Sequence, residues 1–294
     1  MPEIKKDASS QAPGTERPFE AYKSPVSVTW CPGCGDFSVL HAIYKSMARL
    51  NLDPKDTVIA SGIGCSGRLP IFVNAYGFHG VHGRVLPLAT GIKLASPSLT
   101  VMAVGGDGDG LAIGGGHFPH AARRNVDITY LMLDNATYGL TKGQASPTTG
   151  PESSSKSLLY GTTEDNLNPI GLALAYNASF VARAFSGNLN LMIDLIMRAV
   201  RHRGFSFIHV ISPCVVFNNT YPFYTSHVVP VPPEHDVTDK SKAIDLWQTP
   251  GKIYIGAFYE REEKQSYAQR WETIKAKAQA SGPGSMEALF SKYV

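Results

Sequence analysis

The sequence has few of the features that mark secreted, membrane or nucleic-acid-binding proteins. It contains only four cysteines in 294 residues, too few for a disulfide scaffold. No apolar stretch approaches the roughly 20 residues of a membrane-spanning helix, and the polar N-terminus lacks the apolar centre of a signal peptide. A net charge of +3 gives no basic surface for nucleic acid. These absences predict a cytoplasmic protein that binds neither membranes nor nucleic acids.

The hydrophobic residues, 43% of the chain, suffice for a large core. Short apolar runs of the length of buried strands alternate with segments of helical periodicity, which predicts an α/β fold with a doubly wound, mostly parallel sheet. The predicted strands are 56–61, 100–105, 127–133, 179–184 and 205–211. The predicted helices are 37–50, 91–99, 111–124, 168–176 and 189–203.

Both ends of the chain differ from this alternating region. Residues 1–27 are polar and proline-rich, which predicts an N-terminal arm. Residues 28–220 form the predicted main domain, and 221–294 form a C-terminal extension that we expect to pack on the sheet or on a partner. Within the extension the pattern predicts a helix near 241–247, a strand near 252–258 and a helix near 261–280.

The four cysteines all lie beside turn residues. Cys31 and Cys34 form a C-x-x-C pair, Cys65 follows a predicted strand, and Cys214 follows another. Thiolates in such positions bind zinc or a [4Fe–4S] cluster, or form a redox disulfide, and the single C-x-x-C pair is untypical of a zinc ribbon. The spacing favours a cluster at one rim of the sheet. A thioredoxin-like pair with two unrelated buried thiols stays open.

A glycine-rich segment, 105–110, follows the second predicted strand and opens a helix. Its glycines allow close approach of a diphosphate, and Asp107 and Asp109 offer carboxylates to Mg²⁺. Asn135 ends the next predicted strand, 27 positions after Gly108. A plain tight turn is the alternative for the glycines alone, but the added asparagine resembles the thiamine diphosphate motif of thiamine enzymes.

Six segments together resemble the β subunit of 2-oxoacid:ferredoxin oxidoreductases, over most of 30–218 and more weakly beyond. They are WCPGCGDF, GIGCSGR, HGRVLPLATGIKLA, GGDGDGLAIGGGHFPHAARRN, LDNATYGLTKGQASPTT and SPCVVFN. The resemblance implies the thiamine-diphosphate-binding type of α/β fold, with thiamine diphosphate, Mg²⁺ and one [4Fe–4S] cluster as cofactors and CoA as co-substrate.

The resemblance also assigns residues. It implies that the four cysteines ligate the cluster and that Asp107, Asn135 and the carbonyl of Thr137 ligate Mg²⁺. The remaining cofactor-binding residues that it implies are Gly64, Ser66, His82, Gly106, Gly108, Asp109, Tyr138, Gly139, Leu140 and Thr141.

Two residues are candidates for direct catalytic roles. Lys142, in the segment GLTKGQ, matches the family lysine that meets the 2-oxoacid carboxylate, and His82 matches a position near the thiamine ring. The alternative for Lys142 is a solvated loop lysine. For His82 it is a histidine packed between a loop and the sheet.

One missing residue points to a partner chain. Thiamine enzymes generally use a glutamate to promote carbanion formation, but this chain has no Glu between Glu20 and Glu152. The resemblance implies an obligate α subunit that supplies the pyrimidine side and the CoA site, an (αβ)₂ assembly, and ferredoxin as electron partner. We expect the chain alone to be inactive.

The expected reaction is the CoA-dependent oxidative decarboxylation of 2-oxoglutarate to succinyl-CoA, or its reversal. A pyruvate or broad-range 2-oxoacid enzyme is the alternative within the family. A non-catalytic, metal-stabilised assembly subunit and a non-redox thiamine decarboxylase are the alternatives outside it, and the second leaves the cysteines without a purpose.

Overall fold

The computed structural model describes residues 17–151, 153, 158–261, 264–282 and 284–293, so residues 1–16 of the predicted arm lie outside the described residues. One sheet contains eight strands in the order β2-β1-β3-β4-β6-β5-β8-β7. All neighbouring pairs are parallel except β5 and β8, so the predicted α/β fold is confirmed. The strands are β1 Thr57–Ser61, β2 Tyr76–His79, β3 Thr100–Gly106, β4 Ile128–Asp134, β5 Phe180–Phe185, β6 Phe205–Ile211, β7 Val228–Pro230 and β8 Ile253–Glu260.

Helices cover both faces of this sheet. The α-helices are α1 Asp36–Arg49, α2 Leu69–Phe72, α3 Val85–Ala95, α4 Asp107–Leu111, α5 Phe118–Arg124, α6 Pro169–Ala175, α7 Leu189–Arg201, α8 Tyr221–His227, α9 Lys240–Gln248, α10 Tyr267–Ala280 and α11 Met286–Phe290. Short 3-10 helices occupy Phe19–Tyr22, Pro54–Asp56 and Ser66–Arg68.

The core consists of two apolar layers separated by the sheet. On β4, Leu131 and Leu133 point into the layer that contains α1 and α7, and Tyr130 and Met132 point into the layer that contains α3, α5 and α6. This alternation follows from the two-residue period of a strand, and burial on both faces explains the continuous apolar run. Each large apolar side chain buried in this way stabilises the fold by about 1.5–3 kcal/mol.

Two predicted helices have different bounds in the structure. The predicted helix 111–124 is two helices, because α4 begins at Asp107 and ends at Leu111, and α5 begins only at Phe118. The intervening chain contains three consecutive glycines, 114–116, which favour a turn over a continued helix. The predicted helix 91–99 is α3, which begins at Val85 and ends at Ala95, just before a Ser-Pro pair that disfavours further helix.

Several short elements were not predicted. They are β2, β7, α2, α8 and α11. All four residues of β2 are exposed at the edge of the sheet, so β2 lacks the apolar alternation on which strand prediction depends. The other four elements are three to seven residues long, too short for a periodic signal.

The C-terminal extension adds strands to the sheet. The strand predicted at 252–258 lies at Ile253–Glu260 and pairs antiparallel with β5. The helix predicted at 261–280 begins at Tyr267, because Ser266 and Gln269 form a capping box that starts α10 there. The division into an arm, a main domain and an extension stays a prediction. Among the described residues, no helix is long and apolar enough to cross a membrane.

The buried side chain of Asn125 joins three parts of the fold. Its oxygen accepts hydrogen bonds from Ser179 Oγ, at 2.6 Å, and from the backbone of Phe205, and its nitrogen donates to the carbonyls of Lys264 and Gln265. We predict that Asn125→Ala lowers the free energy of unfolding by about 2–4 kcal/mol, because four partners lose their hydrogen bonds to a buried side chain. The midpoint of urea unfolding measures the loss.

Asn51→Ala is the matched control. Asn51 also has a positive φ, but its side-chain oxygen has no hydrogen-bond partner among the described residues, so that substitution reports the left-handed backbone alone, at about 1–2 kcal/mol. Equal losses in the two variants would show that the hydrogen bonds of Asn125 add nothing.

Candidate active site

A cleft of about 420 Å³ opens at the carboxyl ends of the parallel strands. After β1 the chain continues outward to β2, and β3 lies on the other side of β1, so the strand order changes direction there. Ligands bind at such a switch point in open α/β sheets. All thirteen residues assigned to cofactor binding line this cleft: Gly64, Ser66, His82, Gly106, Asp107, Gly108, Asp109, Asn135, Thr137, Tyr138, Gly139, Leu140 and Thr141.

The two aspartates of the glycine-rich segment have different partners. Asp107 is 2% exposed and its Oδ2 accepts a hydrogen bond from Thr148 Oγ1 at 2.8 Å. Asp109 is equally buried, but its Oδ1 accepts from the backbone nitrogens of Ile63, at 2.8 Å, and Gly83, at 2.7 Å. Asp109 therefore joins the loops after β1 and β2 to α4. The assignment of Asp107 as the Mg²⁺ ligand stays a prediction.

The hydroxyl of Thr148 lies between two carboxylates. It is 2.8 Å from Asp107 Oδ2 and 2.7 Å from Asp134 Oδ1, and a hydroxyl has one proton to donate. Burial, followed by the charge of Asp134, raises the pKa of Asp107 to about 7. A divalent cation at Asp107 would relieve this crowding of negative charge, so the donor set fits Mg²⁺.

Asp134 is held ionised by a second buried chain of contacts. Arg183 Nε donates to His209 Nδ1 at 3.1 Å, so His209 carries its proton on Nε2 and donates it to Asp134 Oδ2 at 2.7 Å. Burial lowers the pKa of His209, which keeps the imidazole neutral. Burial acts to raise the pKa of Asp134, but the hydrogen bonds from His209 and Thr148 outweigh it and lower that pKa.

The turn after β4 presents Asn135 and Tyr138 to the cleft. Asn135 Oδ1 accepts from Thr137 N at 3.0 Å and keeps a second lone pair for a ligand. The Tyr138 ring covers Gly108 so closely that a Cβ on Gly108 would lie 2.3 Å from the ring. Glycine is therefore required at 108 by close packing. The carbonyl oxygen of Asn135 accepts from Asn218 Nδ2 at 3.0 Å, which ties this turn to the loop after β6.

Lys142 and His82 lie at different depths. His82 lines the cleft, and its Nδ1 is 3.1 Å from Asp109 Oδ1 in a geometry that makes no hydrogen bond. Lys142 is exposed at the tip of the loop that follows Asn135, with a φ of 85°, and does not line the cleft, although Thr141 and Gln144 on either side do. The neighbours of Lys142, and not Lys142 itself, therefore border the cleft, so the expected contact of Lys142 with a substrate stays a prediction.

The loop that carries Lys142 is closed at its base. Tyr138 N donates to the Gln144 carbonyl at 3.0 Å, and Gly143 N donates to the Tyr138 carbonyl at 2.9 Å. The Gln144 side chain also bridges Thr141, accepting from its hydroxyl at 2.6 Å and donating to its carbonyl at 2.7 Å. A left-handed backbone at a lysine costs about 1–2 kcal/mol, and this bridged loop maintains it.

The four cysteines come together beside the cleft. The sulfurs of Cys65 and Cys214 each lie 3.7 Å from the position that a Cβ would take on Gly139. Cys31 and Cys34 share a tight turn, in which Cys34 N donates to the Cys31 carbonyl at 3.1 Å. The predicted convergence of these residues at one rim of the sheet therefore agrees with their positions, while their ligand roles stay a prediction.

Three contacts hold the cysteine segments to one another. Gly35 N donates to the Pro213 carbonyl at 3.3 Å, and Ser212 Oγ donates to Asp36 Oδ1 at 2.7 Å. Trp30 Nε1 donates to the carbonyl of Cys65 at 2.7 Å. The C-x-x-C turn is thereby joined to both of the other cysteine loops.

The thiols need a positive charge to become thiolates. Burial, and next the charge of Asp36, raise the pKa of Cys34 and bring that of Cys65 to about 11. In the described part of the chain, no group of three or more His, Cys, Asp or Glu side chains is arranged to hold a single metal ion.

Sequence reasoning missed several residues of this site besides the Asp134–His209–Arg183 chain. Asp36 and Gln144 line the cleft, Thr148 links the two buried carboxylates, and Asn218 links the Cys214 loop to Asn135. All four lie within the segments that carried the resemblance. Their side-chain partners are distant in sequence or in neighbouring turns, so spacing alone gave no signal for them.

We predict that His209→Leu lowers the free energy of unfolding by about 3–5 kcal/mol, because it leaves the buried Asp134 and Arg183 charges without their shared partner. His209→Gln keeps a donor and an acceptor and should lose less than half as much. Chemical denaturation of the two variants measures the difference. Equal losses would mean that packing volume, and not the charge network, accounts for the effect.

Two family models match the chain. The model described as "Thiamine pyrophosphate enzyme, C-terminal TPP binding domain" matches residues 62–210, and the C-terminal model of the "Pyruvate ferredoxin oxidoreductase beta subunit" matches 214–276. The first match spans the chain from the end of β1 to β6, which includes almost the whole cleft. The fold and the site thus define an α/β domain of the thiamine-diphosphate enzyme class.

Curated relatives and a solved structure narrow this class. The chain is 43% identical over 270 residues to "2-oxoacid:ferredoxin oxidoreductase 1, subunit beta" of Aeropyrum pernix, with 86% of this chain and 84% of the relative covered. It is 36% identical over 253 residues to "2-oxoglutarate synthase subunit KorB" of Methanothermobacter thermautotrophicus, with 84% and 88% covered.

The solved structure is "2-oxoglutarate:ferredoxin oxidoreductase from Magnetococcus marinus with 2-oxoglutarate, coenzyme A and succinyl-CoA bound". It matches with a TM-score of 0.89 and 41% identity, over 94% of this chain and 96% of that chain. The chain belongs to the β subunits of the 2-oxoacid:ferredoxin oxidoreductase family, and the resemblance seen in the sequence is confirmed.

Proposed function

We propose that this chain is the β subunit of a 2-oxoglutarate:ferredoxin oxidoreductase that forms succinyl-CoA and CO₂ from 2-oxoglutarate and CoA, or runs in reverse. It holds thiamine diphosphate and Mg²⁺ in the cleft and one [4Fe–4S] cluster on Cys31, Cys34, Cys65 and Cys214. One observation carries the proposal. The cleft lined by all thirteen assigned residues adjoins two cysteine sulfurs, each 3.7 Å from a Cβ position on Gly139.

The residues of the chain fit these cofactors. Asp107, Asn135 and the carbonyl of Thr137 offer Mg²⁺ the oxygen ligands that it prefers, next to buried negative charge that needs compensation. Thiamine diphosphate supplies a carbanion equivalent for decarboxylation, and an iron–sulfur cluster supplies a one-electron acceptor. The Tyr138 ring and the half-buried His82 narrow the cleft and restrict water around the bound cofactor.

Lys142 is proposed to bind the substrate carboxylate. Its loop base is fixed by Tyr138 and Gln144, and the loop borders the cleft through Thr141 and Gln144, the neighbours of the Lys142-Gly143 tip. An ammonium there offsets the negative charge of a 2-oxoacid before CO₂ leaves. His82, whose Nδ1 makes no hydrogen bond within the described part of the chain, is proposed to donate or accept a proton beside the thiamine ring.

The cleft requires a second chain. No glutamate lines it among the described residues, so the carboxylate that thiamine enzymes generally use to activate the cofactor has to come from a partner. We propose an obligate α subunit that supplies this group and the CoA site, an (αβ)₂ assembly, and ferredoxin as electron acceptor. The word "beta" in the names of the relatives supports the α partner.

The choice of 2-oxoglutarate is supported by the ligands named for the Magnetococcus marinus structure and by the name of the Methanothermobacter relative. A broad-range enzyme is the second candidate, because the Aeropyrum relative is named only for 2-oxoacids. Anaerobic co-purification with the α subunit, followed by CoA-dependent viologen reduction, tests the choice. A higher kcat/KM on 2-oxoglutarate than on pyruvate is expected, and equal values would favour the broad-range enzyme.

We predict that Asp107→Asn weakens binding of thiamine diphosphate in the presence of Mg²⁺ by about 10–100-fold, because a neutral amide replaces a charged metal ligand. Equilibrium dialysis with thiamine diphosphate measures the change. Asp194→Asn, on the exposed face of α7, is the control and should bind normally. Unchanged binding in Asp107→Asn would remove Asp107 from the metal site.

Lys142 is tested by three substitutions. Lys142→Ala and Lys142→Gly should both raise the KM for 2-oxoglutarate by about 10–100-fold, because each removes a charge-assisted hydrogen bond. Glycine also relieves the left-handed backbone, so equal effects identify the charge as the cause. Lys142→Arg should recover part of the loss. Steady-state kinetics of the αβ complex measures KM, and normal KM in Lys142→Gly would contradict the carboxylate role.

The cysteine assignment predicts iron content. Cys65→Ser and Cys214→Ser should each lose most of the iron and acid-labile sulfide that anaerobically purified wild type contains, because both sulfurs face the same rim. Zinc without iron in wild type would instead support the non-catalytic, metal-stabilised assembly subunit.

A further inference from the structure

A second pocket, of about 290 Å³, lies at the opposite end of the sheet from the cleft. It is bordered by the end of α5, the turn before β5 and the end of β8, so it adjoins the amino ends of the parallel strands. The cleft of the candidate active site lies at their carboxyl ends. The residues that line the second pocket are Arg123, Asn177, Ala178, Tyr259, Arg261, Lys264 and Arg270.

Four of these seven residues are cationic, and none is acidic. None of Arg123, Arg261, Lys264 and Arg270 makes a salt bridge with an acidic residue in the part of the chain that the structure describes. Lys240 approaches the same place, since its Nζ donates to Asn177 Oδ1 at 2.7 Å. Like charges repel, so a cluster of this kind is stabilised by an anion.

The cations are held in place by the fold. Arg261 N donates to the Ser179 carbonyl at 2.8 Å, and Tyr267 N donates to the Asn125 carbonyl at 3.1 Å. The Asn125 side chain also holds the carbonyls of Lys264 and Gln265. Arg261 and the stretch 264–267 are therefore each anchored to the core, and Arg261 and Lys264 line the pocket from these anchored positions.

The pKa of Lys264 reflects the same repulsion between neighbouring cations. Burial, and next the charges of Arg270, Arg261 and Lys240, lower the pKa of Lys264 to about 8. Lys264 Nζ also donates to the carbonyl of Asn177 and, at 3.5 Å, to that of Ala122. A bound anion would reverse the repulsion among these groups.

We propose that this pocket binds a small, multiply charged oxyanion of phosphate or polycarboxylate chemistry. Arginine guanidinium groups match both oxyanions with paired hydrogen bonds, and the volume is near the lower end of small-molecule pockets. The site is separate from the proposed thiamine cleft, and its ligand binding does not depend on the proposed reaction. Its occupant can therefore bind whether or not the enzyme turns over.

The test is isothermal titration calorimetry of the αβ complex, with its thiamine sites filled by thiamine diphosphate and Mg²⁺. Inorganic phosphate and propane-1,2,3-tricarboxylate are the two probes, and tighter binding of one identifies the chemistry of the ligand. One site per chain is expected. Arg261→Gln and Arg270→Gln should each weaken binding about tenfold, by loss of a charge-assisted contact. Lys275 lies on the same helix as Arg270, α10, but forms an ion pair with Glu272. The Lys275→Gln variant should therefore bind like wild type.

Glu262 and Glu263 lie outside the described residues, between Arg261 and Lys264 in sequence, and they provide a second control. The double variant Glu262→Gln/Glu263→Gln should bind the probes at least as tightly as wild type. Binding by that variant alone, with none to wild type, would show that the chain supplies its own counter-ions and would overturn the proposal. Absence of binding to both proteins, or equal affinities in wild type, Arg261→Gln and Arg270→Gln, would also overturn it.

Discussion

The candidate active site is organised around two buried carboxylates that share one hydroxyl. Asp107 begins α4 and Asp134 ends β4, and Thr148 lies between their oxygens at 2.8 and 2.7 Å. Two buried carboxylates that share one hydroxyl cannot both stay ionised unless a positive charge or further donors compensate them. His209 stabilises the Asp134 carboxylate by a hydrogen bond. A metal ion in the cleft would stabilise the Asp107 carboxylate. The buried carboxylates therefore favour the binding of a cation at the place where the proposed diphosphate would bind.

A second constraint joins the cleft to the cysteines. Gly139 lies between the Asn135 turn and the sulfurs of Cys65 and Cys214, and Asn218 links the Cys214 loop to the carbonyl of Asn135. These contacts hold Asn135, a proposed metal ligand, next to two of the proposed cluster ligands. A short and fixed distance between two cofactors favours direct electron transfer between them. The proposed electron transfer gives the four cysteines a role beside the cleft, whereas a non-redox thiamine decarboxylase would need none.

Much of this arrangement was predictable from sequence, because it depends on strand ends. The apolar runs of β1, β3, β4 and β6 located their own termini, and parallel strands bring their carboxyl ends to one edge. Residues directly after those runs, such as Asp107, Asn135 and Cys214, could therefore be placed together. The edge strand β2 was missed because its residues are all exposed and carry no alternating pattern.

Other features depend on contacts that sequence spacing does not encode. The different partners of Asp107 and Asp109 arise from the path of the loops after β1 and β2, and both residues look equivalent in GGDGDG. Thr148 and His209 meet Asp134 from separate segments, and only the packed fold shows it. The cationic pocket gathers Arg123 from α5 and Arg270 from α10, which are far apart in sequence, so neither helix alone indicated it.

The central claim is that thiamine chemistry in the cleft delivers electrons to iron held by the neighbouring cysteines. The most direct measurement is rapid-freeze EPR of the anaerobic αβ complex after mixing with 2-oxoglutarate, with and without thiamine diphosphate. The account predicts the signal of a reduced [4Fe–4S] cluster only when thiamine diphosphate is bound, and its absence in Cys65→Ser. Decarboxylation by the thiamine-loaded complex with no reduced-cluster signal would contradict the account.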